Sequence, residues 1–339
     1  MAEVPRKAVR RLYSSSKSRR KGSVADSTGP IFVVRFTADG KYCLSAGADR
    51  TVRLWSPGKD DPDSGRISVS GPVRPGHVDH SRVPCALPIK AYSGPHGYEI
   101  RDISVTGDNT KFASCGADKV AFLWDVSKGS VVRRFQGHED KLNTCCFNKD
   151  CTVLFTGSYD GTIRCWDLRS NNRIPIQVLH ESRDSVTCVR MSSSGEELLS
   201  GSVDGRVRTY DIRAGRVTED NLKSPVTWVS ISNDGNCVLA SCLSEHACLR
   251  LLEKHTGTAL NHYTGHTNSM YGVESCFSND DACVMSGSED GSIRIWDLVD
   301  AKVIRKLQGH SKTVCSIAYN PKQSMLISSS YDGTALVWA

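Results

Sequence analysis

The sequence lacks the features that would indicate a membrane span, a metal site or a redox centre. No window approaches the roughly 18 consecutive apolar residues that a membrane span requires, and the N-terminus has no apolar signal core. The 14 cysteines include no C-x-x-C pair, the spacing typical of zinc and redox sites. We therefore expect a soluble protein made in the cytosol, with cysteines serving as small core residues and with no metal or cofactor.

Acidic residues are almost absent from the first 21 positions, where eight lysines and arginines accompany a single acid, Glu3. The formal charge of the whole chain is +6, so the rest of the protein is close to neutral. Without a basic field over most of the chain, any nucleic-acid binding is expected to involve only this basic arm.

What the sequence does contain is an internal repeat with a period of roughly 40 to 45 residues, apart from one longer first interval. Each copy is a β-branched run that passes through a turn and ends near Trp. The copies are SAGADRTVRLW (45–55), SCGADKVAFLW (114–124), TGSYDGTIRCWD (156–167), SGSVDGRVRTYD (200–211), SCLSEHACLRLL (241–252), SGSEDGSIRIWD (286–297) and SSSYDGTALVW (328–338). Gly-His pairs precede most of them. This combination resembles the WD repeat, which implies four antiparallel strands per copy.

The alternation inside each copy predicts a hairpin, and one hairpin cannot bury its apolar face alone. Stacking the copies face to face into a closed ring buries those faces and limits exposed sheet edges. The predicted fold is therefore all-β: a seven-bladed WD40 β-propeller closed by an N-terminal strand.

A His, a Ser or Thr, an Asp and a Trp recur at nearly fixed offsets in four copies. In WD-repeat proteins such quartets form a buried chain of hydrogen bonds, and the resemblance implies the same here. The quartets are His96, Ser114, Asp118 and Trp124; His138, Thr156, Asp160 and Trp166; His266, Ser286, Asp290 and Trp296; and His310, Ser328, Asp332 and Trp338.

Ser, His and Asp also make the catalytic triad of hydrolases, so the quartets could be read as catalytic. Four complete copies argue against a single active site, and there is no G-x-S-x-G nucleophile elbow. We therefore predict structural quartets, no catalytic residues and no enzyme activity.

The last copy ends at Ala339, directly after its third strand, so a fourth strand must come from elsewhere. The segment AVRRLYSS (8–15) aligns with the outer-strand segments VVRRFQGH (131–138) and KVIRKLQGH (302–310). We predict a basic arm over residues 1–25 with a closing strand near 9–13, followed by the propeller over 26–339. The alternative is that residues 1–25 are wholly disordered.

Two segments exceed the repeat length. SSSKSRRKGSV (14–24) could be a solvated tail, a nuclear-import or RNA-contacting patch, or a phosphorylation site; an Arg- and Ser-rich start also permits a mitochondrial transit peptide. A Pro-, Gly- and Asp-rich stretch over about 57–88, before a strand at Ile89 to Tyr92, predicts a loop. We expect that loop to project from the face opposite the Gly-His turns.

Several stretches are more specific than the repeat itself. AYSGPHGYEIRD (91–102), RCWDLRS (164–170), GSVDGRVRTYDIRAG (201–215) and LRLLEKHTGTAL (249–260) closely resemble the mitogen-activated protein kinase organizer family, also called the WD repeat domain-containing protein 83 family. That resemblance implies scaffolding of a MAP-kinase cascade in the cytoplasm and membership of the spliceosome in the nucleus. The basic arm, the long loop and a more regular seventh repeat depart from the family.

WD proteins concentrate their contacts on the rim where the chain enters the inner strand and turns after the second strand. Carried over by position, the candidate partner-binding residues are Glu99, Arg101, Lys141, Asn143, Tyr159, Ser185, Thr187, Val203, Tyr271, Glu289, Thr313 and Tyr331. Tyr159 and Tyr331 are the strongest candidates, because an exposed aromatic beside a turn can anchor an interface.

The sequence thus favours a protein-interaction scaffold that binds splicing factors or kinase-cascade components, as a monomer within larger complexes in the cytoplasm and nucleus. The alternative is a reader of RNA or of modified peptides that uses the basic arm and the propeller face. An enzyme would need an ionisable cluster present once in the ring, and the sequence shows none.

Overall fold

The computed structural model describes residues 4–12, 29–62, 83–244 and 248–339. Over these residues the chain forms only β-strands and turns, and the strands assemble into seven four-stranded antiparallel sheets. The first strands of neighbouring sheets contact one another all the way round, so they form the inner wall of a ring. The prediction of an all-β, seven-bladed propeller is confirmed.

Each blade runs from an inner to an outer strand. In blades one to three the strands are β2 Ile31–Phe36, β3 Cys43–Gly47, β4 Val52–Asp60 and β5 Ala86–Tyr92; β6 Ile100–Val105, β7 Lys111–Gly116, β8 Val120–Asp125 and β9 Val131–Gln136; and β10 Leu142–Phe147, β11 Val153–Ser158, β12 Ile163–Asp167 and β13 Gln177–Leu179.

The remaining blades follow the same order. Their strands are β14 Val186–Met191, β15 Glu197–Ser202, β16 Arg206–Asp211 and β17 Arg216–Asn221; β18 Val226–Ile231, β19 Cys237–Cys242, β20 Cys248–Glu253 and β21 Ala259–Thr264; β22 Ser275–Phe277, β23 Cys283–Ser286, β24 Ser292–Asp297 and β25 Val303–Gln308; and β26 Val314–Tyr319, β27 Leu326–Ser330, β28 Ala335–Trp338 and β1 Ala8–Arg11.

The core lies between the blades. Strand β3 is buried along its whole length, whereas the outer strand β9 keeps only Phe135 fully buried. One apolar cluster joins Val33 and Leu44 of blade one to Ile103 and Phe112 of blade two. Both faces of a middle strand are covered by neighbouring blades, so a strand such as β3 is apolar or small throughout, whereas an outer strand such as β9 is mostly exposed.

The ring is closed by the N-terminal strand, as the sequence predicts. β1 pairs antiparallel with β28, with Arg10 opposite Val337 and Arg11 opposite Leu336. The strand covers Ala8–Arg11, so it begins one residue before the predicted range; Tyr13 lies outside the described residues. A wholly disordered N-terminus is wrong for residues 4–12. Because both chain ends contribute to blade seven, this blade holds the ring together.

The insertion of blade one is shorter than the predicted loop over 57–88. β4 continues to Asp60 and β5 begins at Ala86, and these extensions pair Asp60 with Ala86. Residues 63–82 lie outside the described part of the chain, as do residues 13–28 of the arm. The base of the insertion lies against the closing strand, because Arg10 Nε donates to Asp60 Oδ1 at 2.5 Å.

Three of the four polar quartets form the expected chain of hydrogen bonds. In blade three, Trp166 Nε1 donates to Thr156 Oγ1 at 2.9 Å, His138 Nε2 lies 2.8 Å from the same hydroxyl, and His138 Nδ1 lies 2.9 Å from Asp160 Oδ2. The quartets of blades two and seven have the same connections. Each chain ties the turn that contains the aspartate to the strand that contains the tryptophan.

The fourth quartet, in blade six, does not form, so that expectation is wrong. Trp296 Nε1 donates to the Thr264 carbonyl, Ser286 donates to the Gly287 carbonyl, and both ring nitrogens of the buried His266 lack a partner. Arg294 and Lys306 both contact Oδ2 of Asp290, the oxygen that binds histidine in the other quartets. The aspartate is therefore already occupied by two cations.

Two further blades also use an arginine in place of the histidine. In blade four, the fully buried Arg208 donates to Asp204 Oδ2 at 2.7 Å and to Glu219 Oε1 at 2.9 Å. In blade one, Arg53 pairs with Asp49. Each arginine lies four residues after its aspartate, so the cation comes from the same hairpin and no upstream histidine is needed.

Ionisation of the aspartates and histidines follows from these contacts. Although burial opposes its ionisation, the hydrogen bond from His138 keeps the pKa of Asp160 below its usual value. In blade six, burial and then the charge of Arg294 lower the pKa of His266 from 6.5 to about 4. His266 is therefore neutral at physiological pH.

Replacing Thr156 by Val should lower the free energy of unfolding by on the order of 2 kcal/mol, because it leaves two buried partners, Trp166 and His138, without their hydroxyl. Urea denaturation measures the change. The matched control is Ser286→Ala at the same repeat position, where the hydroxyl makes a single bond to a backbone carbonyl. Equal losses in the two variants would show that the quartets contribute no more than isolated hydroxyls.

His266 should make the protein less stable in mild acid. Between its ordinary pKa of 6.5 and its folded pKa of about 4, the unfolded imidazole binds a proton and the folded one does not, so unfolding becomes easier as pH falls. The His266→Leu variant should lose part of this dependence when denaturation at about pH 7.5 and about pH 5 is compared. The control is the His180→Leu variant, because His180 is exposed. If the free energy of unfolding of His266→Leu changed with pH as much as that of the unchanged chain, the assignment of the acid sensitivity to His266 would be refuted.

Candidate functional site

A cavity of about 370 Å³ opens at the start of the inner strands, on the face that carries the turns between second and third strands. Eight of the twelve predicted partner-binding residues line it: Arg101, Lys141, Asn143, Tyr159, Ser185, Thr187, Val203 and Tyr331. Sequence reasoning missed another nine lining residues: Phe32, Thr227, Trp228, Leu243, Met270, Gly272, Val273, Glu274 and Cys315. The repeat positions thus converge on one concave site.

The other four predicted residues support the site without lining it. Glu99 accepts a hydrogen bond from Arg101 at 2.9 Å, and Glu289 accepts from the backbone N–H groups of residues 269–271. The Tyr271 ring packs 5.0 Å from that of Tyr331. Thr313 is buried, and its carbonyl accepts the backbone N–H of Tyr331. Because Thr313 is buried, its placement as a contact residue is corrected, whereas Glu99, Tyr271 and Glu289 lie beside the cavity and stay predicted partner contacts.

The two tyrosines singled out in the sequence differ in exposure. Tyr159 is 53% exposed, in agreement with an interface anchor. Tyr331 is only half-buried rather than exposed, because it packs between Phe32, at 5.4 Å, and Tyr271. The expectation of an exposed side chain is correct for Tyr159 and wrong for Tyr331, which forms part of the cavity wall.

The polar side chains of the wall tie neighbouring inner strands together. Asn143 Nδ2 donates to the Val186 carbonyl of the next blade at 2.8 Å, and Thr187 Oγ1 donates to the Val226 carbonyl of the blade after that at 2.8 Å. Their hydrogens are used inside the protein, and their oxygens retain lone pairs that can accept from a ligand. The wall is therefore held in place before anything binds.

Below the cavity, charged residues of different inner strands meet across the central channel. Arg35 of β2 donates to both carboxylate oxygens of Glu274 at 2.8 Å and to Asp102 of β6 at 2.7 Å. Arg190 of β14 contacts Asp102 at 3.2 Å. The guanidinium groups of Arg35 and Arg190 also lie 5.2 and 4.1 Å from the ring of Trp228. An ionic network thus links residues of four blades next to the cavity, whose lining includes Glu274 and Trp228.

Arg35 and Asp102 of this network stay charged near neutral pH. Burial alone would raise the pKa of Asp102, but Arg190 and Arg35 lower it below its usual value. Burial would likewise lower the pKa of Arg35, but Glu274 and Asp102 raise it. Two cations and two carboxylates therefore balance one another, and the network adds no net charge to the floor of the cavity.

Sequence reasoning did not find this network because its members lie in different repeats. Arg35 and Glu274 are 239 residues apart. Arg35 interrupts the otherwise apolar strand β2 and Glu274 directly precedes β22, and these single charges were the signal available in the sequence. Only ring closure brings them together.

Within the described ranges, no group of three or more His, Cys, Asp or Glu side chains could hold a metal ion. The same part of the chain contains no helix long and apolar enough to cross a membrane.

Comparison with known proteins agrees with the fold. The family model of the WD domain, G-beta repeat, matches residues 19–56, 257–297 and 301–339. The model of the nucleolar protein 10-like N-terminal domain matches residues 97–273, which span blades two to five. Both matches cover propeller blades and together extend over most of the ring.

Curated relatives match nearly the whole chain. WD repeat domain-containing protein 83 of Rattus norvegicus is 40% identical over 325 residues, which cover 96% of this chain and 90% of the rat protein. The Homo sapiens protein of that name is 41% identical over 91% of this chain and 88% of its own length. The Dictyostelium discoideum homolog is 31% identical over 93% of this chain and 96% of its own length. A propeller of seven WD repeats, matched along its length by these proteins, belongs to the WD repeat domain-containing protein 83 family.

Proposed function

We propose that the protein is a non-enzymatic scaffold that captures partner proteins at the face containing the cavity. The observation that carries this proposal is the cavity itself: aromatic and apolar side chains from several blades line one concave site on a rigid ring. Such pockets, with a few placed polar groups, are typical binding sites. The Ser or Thr, His and Asp side chains that could suggest catalysis are hydrogen-bonded to one another inside three blades.

The chemistry of the rim supports protein capture. Tyr159 combines a large exposed apolar area with a polar tip, and Met270, which is 78% exposed, also lines the cavity. Aromatic residues and methionine are enriched where proteins meet. A rigid wall lowers the entropy cost of binding, since few side chains must be ordered.

For the partners, we propose splicing factors or components of a MAP-kinase cascade, which the resemblance in the stretches 91–102, 201–215 and 249–260 implies. On this proposal the protein works as a monomer within larger complexes, in both cytoplasm and nucleus. Affinity purification from cell extract followed by mass spectrometry separates the two partner classes.

The double variant Tyr159→Ala and Tyr331→Ala should fold and capture fewer partner proteins from cell extract, with enrichment lowered at least about tenfold for an interface centred on these rings. The control is Tyr42→Ala. Tyr42 is 39% exposed and lies just before β3, beyond the end of β2 that is remote from Phe32 and the cavity.

Circular dichroism checks that each variant folds. Unchanged capture by the folded double variant would contradict the assignment of this face. Loss of soluble protein in the double variant would show that the two rings are core residues rather than part of an interface.

A further inference from the structure

The aromatic rings of the cavity already lie against cations of the protein itself. The distances from cation to ring centre are 4.8 Å for Arg101 and Phe32, 5.1 Å for Lys141 and Tyr159, and 4.1 Å for Arg190 and Trp228. An aromatic cage that reads a positively charged side chain needs open ring faces. Here internal cations occupy positions over three of the rings, and their charge repels a second cation.

Carboxylates near the cavity are engaged by other groups. Glu274, the one acidic residue among the described residues of the lining, is held by both terminal nitrogens of Arg35 and by the Ser316 hydroxyl. Glu289 accepts three backbone N–H groups, and these hydrogen bonds lower its pKa despite partial burial. These acids are therefore poorly placed to bind a ligand cation.

Lys141 is the cation best placed to meet a ligand. Arg101 is paired with Glu99 at 2.9 Å, which offsets its charge. Lys141 lies half-buried on the cavity wall with its ammonium over the exposed ring of Tyr159. Because the charges of the ionic network balance one another, Lys141 makes the opening of the cavity positively charged. The ligand group that complements this charge is a carboxylate.

The apolar lining indicates that the ligand also has an apolar side chain. Tyr159, Val203 and Met270 are 53%, 38% and 78% exposed at the mouth, and Trp228 forms part of the wall. A volume of about 370 Å³ lies near the lower end of the range of ligand pockets, roughly 300 to 1,000 Å³. Such a site is suited to one large side chain and its neighbours.

We infer that the cavity binds an acidic peptide segment of a partner protein, with a large apolar side chain inserted among the rings and an adjacent carboxylate at Lys141. This inference rests on the proposed scaffold function and specifies the chemistry of the captured segment. Single-stranded RNA is the competing ligand, because aromatic rings and cations can also hold bases and phosphates. RNA binding needs a basic groove that follows several phosphates, and the lining contains two basic residues.

The test uses random linear peptides displayed on phage and selected on the immobilised full chain. Enriched peptides should combine a Phe, Trp, Tyr, Leu or Met with Asp or Glu within one or two positions of it. Fluorescein-labelled copies are then titrated by anisotropy. Lys141→Glu should weaken binding at least about tenfold, and a peptide with Lys in place of its acid should regain affinity for that variant.

The matched control is Lys302→Glu, which reverses a charge on a lysine whose side chain is 80% exposed and which lies before β25, outside the cavity. It should bind the acidic peptides as the unchanged chain does. Enrichment of basic peptides, or equal binding by the Lys141→Glu variant, would overturn the inference. Binding of labelled oligouridylate that Lys141→Glu abolishes, with no peptide enriched, would overturn it in favour of RNA.

These outcomes are separate from failure of the scaffold proposal. If capture from extract depends on Tyr159 and Tyr331 but the selected peptides are not acidic, only the peptide chemistry is wrong. If capture does not depend on the two tyrosines, the scaffold proposal for this face fails whatever the peptides show.

Discussion

A four-stranded blade has two apolar faces, and neither can be buried except against another blade. This constraint accounts for the ring, because each sheet supplies the cover of its neighbours and a linear stack would leave two faces in water. Clusters such as the one joining Val33 and Leu44 to Ile103 and Phe112 lie across blade boundaries. The closing strand Ala8–Arg11 completes the last blade and removes the remaining exposed edge of β28. The cavity on the surface depends on this closure, because its lining residues come from different blades.

The polar quartets add specificity to a ring that apolar burial alone would stabilise. A Trp indole, a hydroxyl and an imidazole are all costly to bury unpaired, so they fix the register of the strands that bring them together. Blade six shows that four matching residues are not sufficient. Arg294 and Lys306 take the Asp290 oxygen that histidine would need, and His266 remains unpaired and neutral. Local competition for one carboxylate decides whether the quartet forms.

Opposite charges are also paired at the centre of the ring. Arg35, Asp102, Arg190 and Glu274 neutralise one another between the inner strands next to the cavity. The sign of its mouth is then set by a few residues of the wall, chiefly Lys141. The face that contains the cavity is therefore asymmetric, although each blade is the same kind of four-stranded sheet.

The sequence by itself determined the number of blades, the strand at the N-terminus that completes the ring, and eight residues of the cavity wall. Each follows from a local pattern: period, hairpin alternation and position within a repeat. Only the tertiary structure decided that Thr313 is buried, that Tyr331 packs between Phe32 and Tyr271, and that His266 has no partner. Only the tertiary structure places Arg35 in contact with Glu274, which lies 239 residues further along the chain. These outcomes depend on contacts between repeats, and a repeat pattern does not tell which side chains of different repeats pair with one another.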